Sequence, residues 1–290
     1  MKIAFYDSNL TDDQWTFLEP MLPARKKLGR PPTERRRIVD AILYVIKTGV
    51  QWRMLPADFP PYQTVFHVFR QWTLNHTWEA INACLRAHIR QAEGKRCRPT
   101  AAILDSQSVK SDPHGGTVGY DAAKCIKGRK RHILVDTLGL LLGALVTPAN
   151  VTERVGAETL LARTFGWFTW LRLLWVDGGY HGEAFARWVQ GVRAKLKVQV
   201  VKRSDTGFKV LPRRWVVERT FAWFMRQRRL VRDYETDRNQ CRGLDVRRDD
   251  TNSTPSSGMN VGLFRIFRRA LRHKRITAES ITQFIQTTTK

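Results

Sequence analysis

The sequence predicts an α/β fold, a mixed sheet with flanking helices, preceded by a small all-helical region. Apolar side chains recur at intervals of three and four through the first hundred residues, which is typical of packed helices. Beyond that point short apolar, β-prone runs alternate with helical stretches, which indicates a sheet covered by helices. The segment from Thr236 to Gly258 has almost no apolar residues, so we expect it to lie outside the folded core.

The composition favours a partner that is a polyanion. The chain has 290 residues, 42% of them hydrophobic, which is enough to build the cores of two domains. Its formal net charge is +24, which points to nucleic acid rather than to an acidic protein. A solvated basic surface is the plainer alternative.

Cysteine usage and hydropathy exclude several classes of protein. The four cysteines form no Cys-x-x-Cys pair and no cluster with histidine, which excludes zinc-finger spacing and a disulfide framework. The N-terminus lacks the apolar core of a secretion signal, and no apolar run is long enough to span a bilayer. We therefore expect a soluble, cytoplasmic protein that does not bind membranes.

Residues 1–98 are predicted to form a helix-turn-helix-like DNA-binding domain. The first helix starts at a capping box, with Thr11 as N-cap and Gln14 reaching back to it. The second helix is predicted from Thr33 to Gly49, where its apolar stripe ends. The third and fourth are predicted over Thr64–Leu74 and Trp78–Ala92. The residues that we expect the third helix to bury are Val65, Phe66, Phe69 and Trp72.

The basic segment Arg25–Pro32 is interpreted as a flexible, solvated linker between the first two of these helices, with insertion into a DNA minor groove as the alternative. Short helices joined by basic linkers suit a DNA reader. A generic helical bundle would have the same number of helices, so the helix count alone does not decide between the two.

Residues 99–235 are predicted to form one α/β domain. Its predicted strands are Ala101–Leu104, Leu171–Val176 and Lys197–Lys202, and a hairpin of Arg131–Thr137 with Leu140–Thr147 follows the first of them. Its predicted helices are Val155–Phe165 after the hairpin, Glu183–Gly191 between the last two strands, and the long helix Arg213–Tyr234 at the end. This order is expected of a ribonuclease-H-like fold. Residues 236–290 are expected to form a basic, partly disordered tail with one short helix over Val261–Leu271.

Three acidic residues stand where they could share metal ions. Asp105 and Asp177 each end an apolar strand, and Glu218 lies inside the last helix. Carboxylate oxygens are the ligands that Mg²⁺ prefers, with Mn²⁺ as an alternative. Two such cations roughly 3.5–4 Å apart support cleavage of a phosphodiester. Taken singly, each acid has a plainer interpretation, as a turn residue for the aspartates and as a surface ion pair for Glu218.

Basic residues near these acids are predicted to hold DNA phosphates. One group lies just past Asp105 or at the start of the hairpin, and comprises Lys110, Lys127, Arg129, Lys130 and Arg131. A second group shares the long helix with Glu218, and comprises Arg214, Arg226 and Arg229. At about 100° per residue, Arg214, Glu218 and Arg229 fall on one side of a continuous helix. Generic surface charge is the alternative for both groups.

The same residues resemble the motifs of a bacterial transposase family, the insertion sequence 5 family of DDE transposases. Ile103–Lys110 resembles its first-aspartate motif and Trp175–Gly182 its second. Arg213–Phe221 resembles its glutamate motif, including the Arg-x-x-x-Glu spacing. The similar segments cover most of residues 10 to 235.

This resemblance implies a ribonuclease-H-like catalytic domain in which Asp105, Asp177 and Glu218 are the catalytic and metal-binding residues. It implies Mg²⁺-dependent cutting at transposon ends, followed by strand transfer of the 3′-hydroxyl into target DNA. The N-terminal region would bind the terminal inverted repeats, and a homo-oligomer would join two double-stranded DNA ends in a synaptic complex. The alternatives are a DNA nuclease of the same fold and a transposase-derived DNA-binding protein without catalytic activity.

Overall fold

The computed structural model describes residues 6–24, 33–112, 117–201 and 215–234. The described chain divides into two compact units. Among the described residues, the first contains those up to Cys97 together with Gln227–Arg229, and the second contains those of Arg98–Arg226 together with 230–234. The linker Arg25–Pro32 and the tail 236–290, with its expected helix, lie outside the described residues.

The first unit is helical, as predicted. Its helices are α1 (Asp12–Leu18), α2 (Arg35–Thr48), α3 (Tyr62–Leu74) and α4 (Thr77–Ala92), with short 3₁₀ turns at Glu19–Met21 and Trp52–Met54. The capping box is confirmed, because the Thr11 side chain accepts from the Gln14 amide and the Gln14 side chain accepts from the Thr11 amide. In the part of the chain that the structure describes, every helix is too short or too polar to cross a membrane.

The predicted apolar faces of these helices are mostly buried, but in α3 Phe69 is only half-buried and Phe66 is exposed. Ile42 of α2 and Ile81 and Leu85 of α4 are almost completely buried. The prediction that α3 buries Phe66 is wrong, since this ring is 39% exposed. Val65 and Trp72, seven positions apart, are buried instead, and Phe66 lies about 100° round the helix from Val65.

The second unit is built on a six-stranded mixed sheet, which confirms the predicted α/β fold. Its strands are β1 (Ala101–Lys110), β2 (Gly119–Asp121), β3 (Ile126–Asp136), β4 (Leu141–Pro148), β5 (Leu173–Val176) and β6 (Lys197–Val200). The strand order is β2-β3-β1-β5-β6, and β4 also pairs with β3. The β1–β3 pair is antiparallel, whereas β1–β5 and β5–β6 are parallel.

Two strands differ from their predicted lengths for the same reason. Strand β1 continues past Leu104 to Lys110, because Asp105–Lys110 pairs with Gly128–Ile133 of β3. The polar residues in this half of β1 hid it from a search for apolar runs. Strand β3 starts at Ile126 rather than Arg131, because its first residues pair with the short strand β2, which was not predicted.

Helices cover both faces of this sheet. Helices α5 (Glu153–Thr164), α6 (Glu183–Val192) and α7 (Trp215–Met225) pack on it, and the short helix α8 (Arg228–Val231) follows α7 in the chain. Helix α5 packs on β1, β3 and β4 and closes a core that includes Leu104, Leu134 and Leu160. Helix α7 packs on β1 as well. Because the side chains of a strand alternate between faces, Asp105 points away from the face that carries Leu104 and α5.

The prediction of a single long helix over Arg213–Tyr234 is wrong. Helix α7 ends at Met225, and the Arg226 amide donates to the Trp223 carbonyl in a tight turn. The separate helix α8 then starts at Arg228. The rotation that would have placed Arg229 on the same side as Glu218 therefore does not apply.

The turn between β3 and β4 depends on one buried carboxylate. Asp136 is fully buried, and its Oδ1 accepts from the amides of Leu138 at 2.9 Å and Leu140 at 2.8 Å. We expect Asp136→Ala to lower the free energy of unfolding by about 3 kcal/mol, because it leaves two backbone donors without their acceptor. Urea unfolding followed by tryptophan fluorescence measures this loss. Asp136→Asn keeps an acceptor oxygen and should lose less; equal losses in the two variants would contradict this role.

In the first unit, burial disfavours the charge of Asp40. Its Oδ1 accepts from the Leu10 amide at 2.8 Å. Burial raises the pKa of Asp40 from 3.8 to about 6, against the opposing effects of the Leu10 amide and Arg36. Between about pH 4 and pH 6, Asp40 ionises in the unfolded chain but stays protonated in the folded chain. It therefore lowers the free energy of unfolding as pH rises through that range, and the loss persists at higher pH.

Asp40→Asn should therefore remove a pH-dependent loss of stability. The neutral amide keeps the acceptor for Leu10, so the variant should be about 2 kcal/mol more stable than the wild type at pH 7.5, after allowance for solvent screening. The two proteins should have similar stability near pH 3.5. Urea midpoints at both pH values check this, and an unchanged midpoint at pH 7.5 would contradict the raised pKa.

Candidate active site

The register of the sheet brings Asp105 and Asp177 to the same level. Residues Ala101–Ile103 of β1 pair in parallel with Leu173–Trp175 of β5. Continued by two residues, the same register aligns Asp105 with Asp177. Since both follow the last paired residue by two positions, alternation directs both side chains to the face that carries Ile103 and Trp175.

The predicted position of Asp105 at a strand end needs a correction. Asp105 lies in the middle of β1, where the strand has left its pairing with β5 but remains paired with Ile133 of β3. Asp177 does follow the end of its strand, and it caps the 3₁₀ turn Gly178–Tyr180. The pairing of β1 with β5 therefore ends before the two aspartates, whereas β3 still pairs with Asp105 on the other side and holds it rigidly.

A backbone amide fixes one oxygen of each aspartate. Asp105 Oδ1 accepts from the Ser106 amide at 2.7 Å. Asp177 Oδ1 accepts from the Gly179 amide at 2.9 Å. Asp177 is therefore a turn residue, as the plainer interpretation predicts. The same hydrogen bond also fixes its carboxylate at the level of Asp105.

The negative charges of both aspartates and of a third acid act on one buried tyrosine hydroxyl. The Tyr180 side chain is completely buried. Burial raises the pKa of Tyr180 well above its ordinary value, and the negative charges of Asp105, Glu153 and Asp177 raise it further, against a small opposing effect of Ser106. Three carboxylates therefore lie within electrostatic reach of one hydroxyl.

Sequence reasoning missed Glu153. It is the first residue of α5, directly after the N-cap Thr152. Its Oε1 accepts from Ser106 Oγ at 2.9 Å and from Lys124 Nζ at 3.1 Å. Burial opposes its ionisation, but these two hydrogen bonds and the nearby lysine charges hold the pKa of Glu153 below its ordinary value. The available signal was weak, because an acid in the first turn of a helix is common for capping reasons alone.

Glu218 lies on an exposed part of α7. The helix is anchored at the β3–β4 turn, where Arg219 donates to the Leu138 carbonyl at 2.9 Å and Thr220 to the Gly139 carbonyl at 3.1 Å. Among the described residues, no three carboxylate, imidazole or thiolate groups are close enough to hold one metal ion. The structure therefore brings Asp105 and Asp177 together, and the contribution of Glu218 stays a prediction.

Two of the residues predicted to hold phosphates are instead part of the folded core. Lys130 is buried and pairs with Asp121, with Nζ 3.3 Å from Oδ2. Arg131 is also buried and donates to the Leu230 carbonyl at 2.7 Å. Burial lowers the pKa of Arg131 to about 10, against the opposing charge of Asp233. These adjacent residues of β3 point to opposite faces of the sheet, and both are covered there. A charge that is removed from water needs an internal partner.

The other predicted arginines differ in exposure. Arg129 is largely covered and pairs with Asp233 at 3.1 Å, so its charge is also used inside the unit. Arg226 is exposed and Arg229 is half-buried. Arg214 lies outside the residues that the structure describes.

Lys110 and Lys127 are exposed at one end of the sheet. Lys110 ends β1 and pairs with Gly128, the neighbour of Lys127 on β3. On the other side of β3, Lys127 faces Tyr120 of β2, a ring that is 54% exposed. These two lysines are in a position to contact a polyanion that runs along this end of the sheet.

Two protein families match this chain. The family described as "Transposase DDE domain" matches residues 96–243, which contain the sheet and all three acids. The family described as "Putative transposase of IS4/5 family" matches residues 10–82 of the helical unit.

Two similar proteins come from bacteria. The "Insertion element IS402 uncharacterized 16.2 kDa protein" of Burkholderia cepacia is 32% identical over 117 residues, which cover 38% of this chain and 78% of that protein. The "Uncharacterized protein y4sN" of Sinorhizobium fredii is 34% identical over 64 residues, which cover 22% of this chain and 51% of that protein. With its N-terminal match to the IS4/5 type and its ribonuclease-H-like sheet, the chain belongs to the DDE-domain transposase family.

Proposed function

We propose that this chain is the transposase of an insertion sequence. It binds the terminal inverted repeats, cuts DNA at the ends of the element and joins the freed 3′-hydroxyl to target DNA. The observation that carries the proposal is the alignment of Asp105 with Asp177 on adjacent parallel strands, within the segment that matches the DDE domain. A phosphodiester-cutting enzyme needs carboxylates on rigid elements, and β1 is paired on both sides.

The residues at this edge fit a hard divalent cation. Asp105 and Asp177 offer carboxylate oxygens, the ligand type that Mg²⁺ and Mn²⁺ take, and Glu218 of α7 would complete the set. A bound cation would activate the attacking oxygen and neutralise charge on the leaving oxygen. The amides of Ser106 and Gly179 hold the two aspartates in orientation, which reduces the entropy lost on binding.

Other residues of the chain prepare the site for DNA. Tyr180 is completely buried within electrostatic reach of the two aspartates. Lys110 and Lys127 attract the phosphate backbone to the same domain. In the helical unit, α3 exposes Gln63, His67 and Arg70, which lie on one side of the helix at a spacing of three and four and can donate to base edges. This exposed face supports end binding by the N-terminal region, and two ends would be joined by a homo-oligomer.

Removing either aspartate should abolish chemistry without abolishing DNA binding. Asp105→Asn and Asp177→Asn should each reduce Mg²⁺-dependent cleavage of DNA carrying the element's own terminal repeats by roughly a thousandfold, the effect of several kcal/mol of lost charge stabilisation. Glu218→Gln should lose a similar factor if α7 supplies the third carboxylate. Gel analysis of cleaved and joined products measures both steps.

Glu158→Gln, on the half-buried part of α5, is the control and should cleave normally. Cleavage without joined product would favour the nuclease of the same fold. DNA binding without any Mg²⁺-dependent product in the wild type would favour the non-catalytic DNA-binding protein. Full activity in Asp105→Asn would contradict the proposal outright.

The exposed lysines should contribute to DNA affinity through counterion release. We expect Lys110→Ala combined with Lys127→Ala to reduce the slope of log affinity against log salt by about 2, because each phosphate contact contributes about 0.9. Fluorescence polarisation of a labelled duplex between 50 and 300 mM salt, roughly the range over which such contacts weaken, gives this slope. Lys195→Ala, an exposed lysine at the opposite ends of the strands, is the matched control. An equal change in slope per lysine in the control would mean that these two lysines hold no particular phosphate.

A further inference from the structure

Glu153 and Asp177 border one small space above Gly179. A Cβ atom added at Gly179 would lie 2.7 Å from Glu153 Oε2 and 3.1 Å from Asp177 Oδ1. This space exists because residue 179 has no side chain. A divalent cation in this space would lie between two carboxylate oxygens, the ligand type that it prefers.

The other oxygen of Glu153 is already held. Ser106 and Lys124 both donate to Oε1, which leaves Oε2 directed at the space above Gly179. Lys130 also influences Glu153, but its own ion pair is with Asp121. Glu153 therefore presents one oxygen to this space while the protein itself holds the other.

The Tyr180 hydroxyl gives a second, independent indication of a ligand. It is completely buried and lies within electrostatic reach of Asp105, Glu153 and Asp177. The Ser106 hydroxyl is near, but among the described residues no group completes a hydrogen bond of good geometry with the tyrosine oxygen. A buried hydroxyl usually has a partner, and a hydrated cation among these carboxylates would offer it a water oxygen.

We propose that Glu153 adds a fourth carboxylate to Asp105, Asp177 and Glu218, and that its Oε2 shares one cation with Asp177 alone while Ser106 and Lys124 hold Oε1. The inference rests on the proposed function, because Asp105 and Asp177 are taken as cation ligands there. Glu153 comes from α5, on the sheet face opposite to that of Asp105 and α7. The site would thus be closed from both faces of the sheet, with Glu218 on one side and Glu153 on the other.

Direct measurement of Mn²⁺ binding to the full chain tests the proposal without relying on activity. Free Mn²⁺ is quantified by its electron paramagnetic resonance signal during titration of the protein. Glu153→Gln should raise the Kd for Mn²⁺ by about tenfold or more, the usual cost of removing a carboxylate that supports a metal site. Glu158→Gln, on the same helix, should leave the Kd within about twofold of the wild type, and circular dichroism should show that both variants fold.

A pair of glycine variants tests the geometry while every carboxylate is kept. Gly179→Ala places a methyl group between Glu153 and Asp177, so it should also raise the Kd for Mn²⁺ by about tenfold. Gly178→Ala is the matched control, since its methyl group meets nothing within 4 Å. Neither glycine has the positive φ that would make alanine strained.

The outcomes separate this inference from the function on which it rests. Loss of Mn²⁺ affinity in Asp105→Asn, with a wild-type Kd in Glu153→Gln and Gly179→Ala, overturns the role of Glu153 alone. A wild-type Kd in Asp105→Asn and Asp177→Asn as well overturns the cation site itself. Weakened binding in Glu153→Gln and Gly179→Ala, but not in Glu158→Gln and Gly178→Ala, supports the fourth carboxylate.

Discussion

The parallel pairing of β1 with β5 is the constraint on which the candidate site depends. Its register aligns residue 105 with residue 177, and a slip by one residue would send one aspartate to the opposite face of the sheet. The register is itself fixed by burial, because Leu104 and Leu174 must face the core under α5. The same apolar packing that stabilises the second unit therefore sets the geometry of its acids.

Charge inside the second unit is organised in matched pairs. Lys130 with Asp121, and Arg129 with Asp233, connect strands and the segment after α8 at the cost of desolvation. The acids at the β1–β5 edge follow a different pattern, since three of them lie within electrostatic reach of one buried tyrosine. Glu153 is held there by Ser106 and Lys124, and each aspartate accepts from a backbone amide.

Much of this could be predicted from the sequence, because the signals were local. The capping box at Thr11, the stop at Gly49 and the hairpin around Asp136 each follow from short-range chemistry. The polar half of β1 could not, since its strand geometry comes from pairing with β3. Glu153 is contributed by a helix 47 residues beyond its partner Ser106, and only the folded sheet brings the two together. The burial of Lys130 and Arg131 on opposite faces of β3 likewise depends on what covers each face, which composition does not reveal.

The unequal lengths of the two strands have a dynamic consequence. Strand β1 has ten residues and stays paired with β3 well past Asp105, whereas β5 has four and passes directly into a glycine turn at Asp177. Local opening begins where few backbone hydrogen bonds must break at once, so amide exchange should be slow around Asp105 and fast around Asp177. Asp105 is thus fixed to a long, well-paired strand, and adjustment to a substrate would come from Asp177 and its turn.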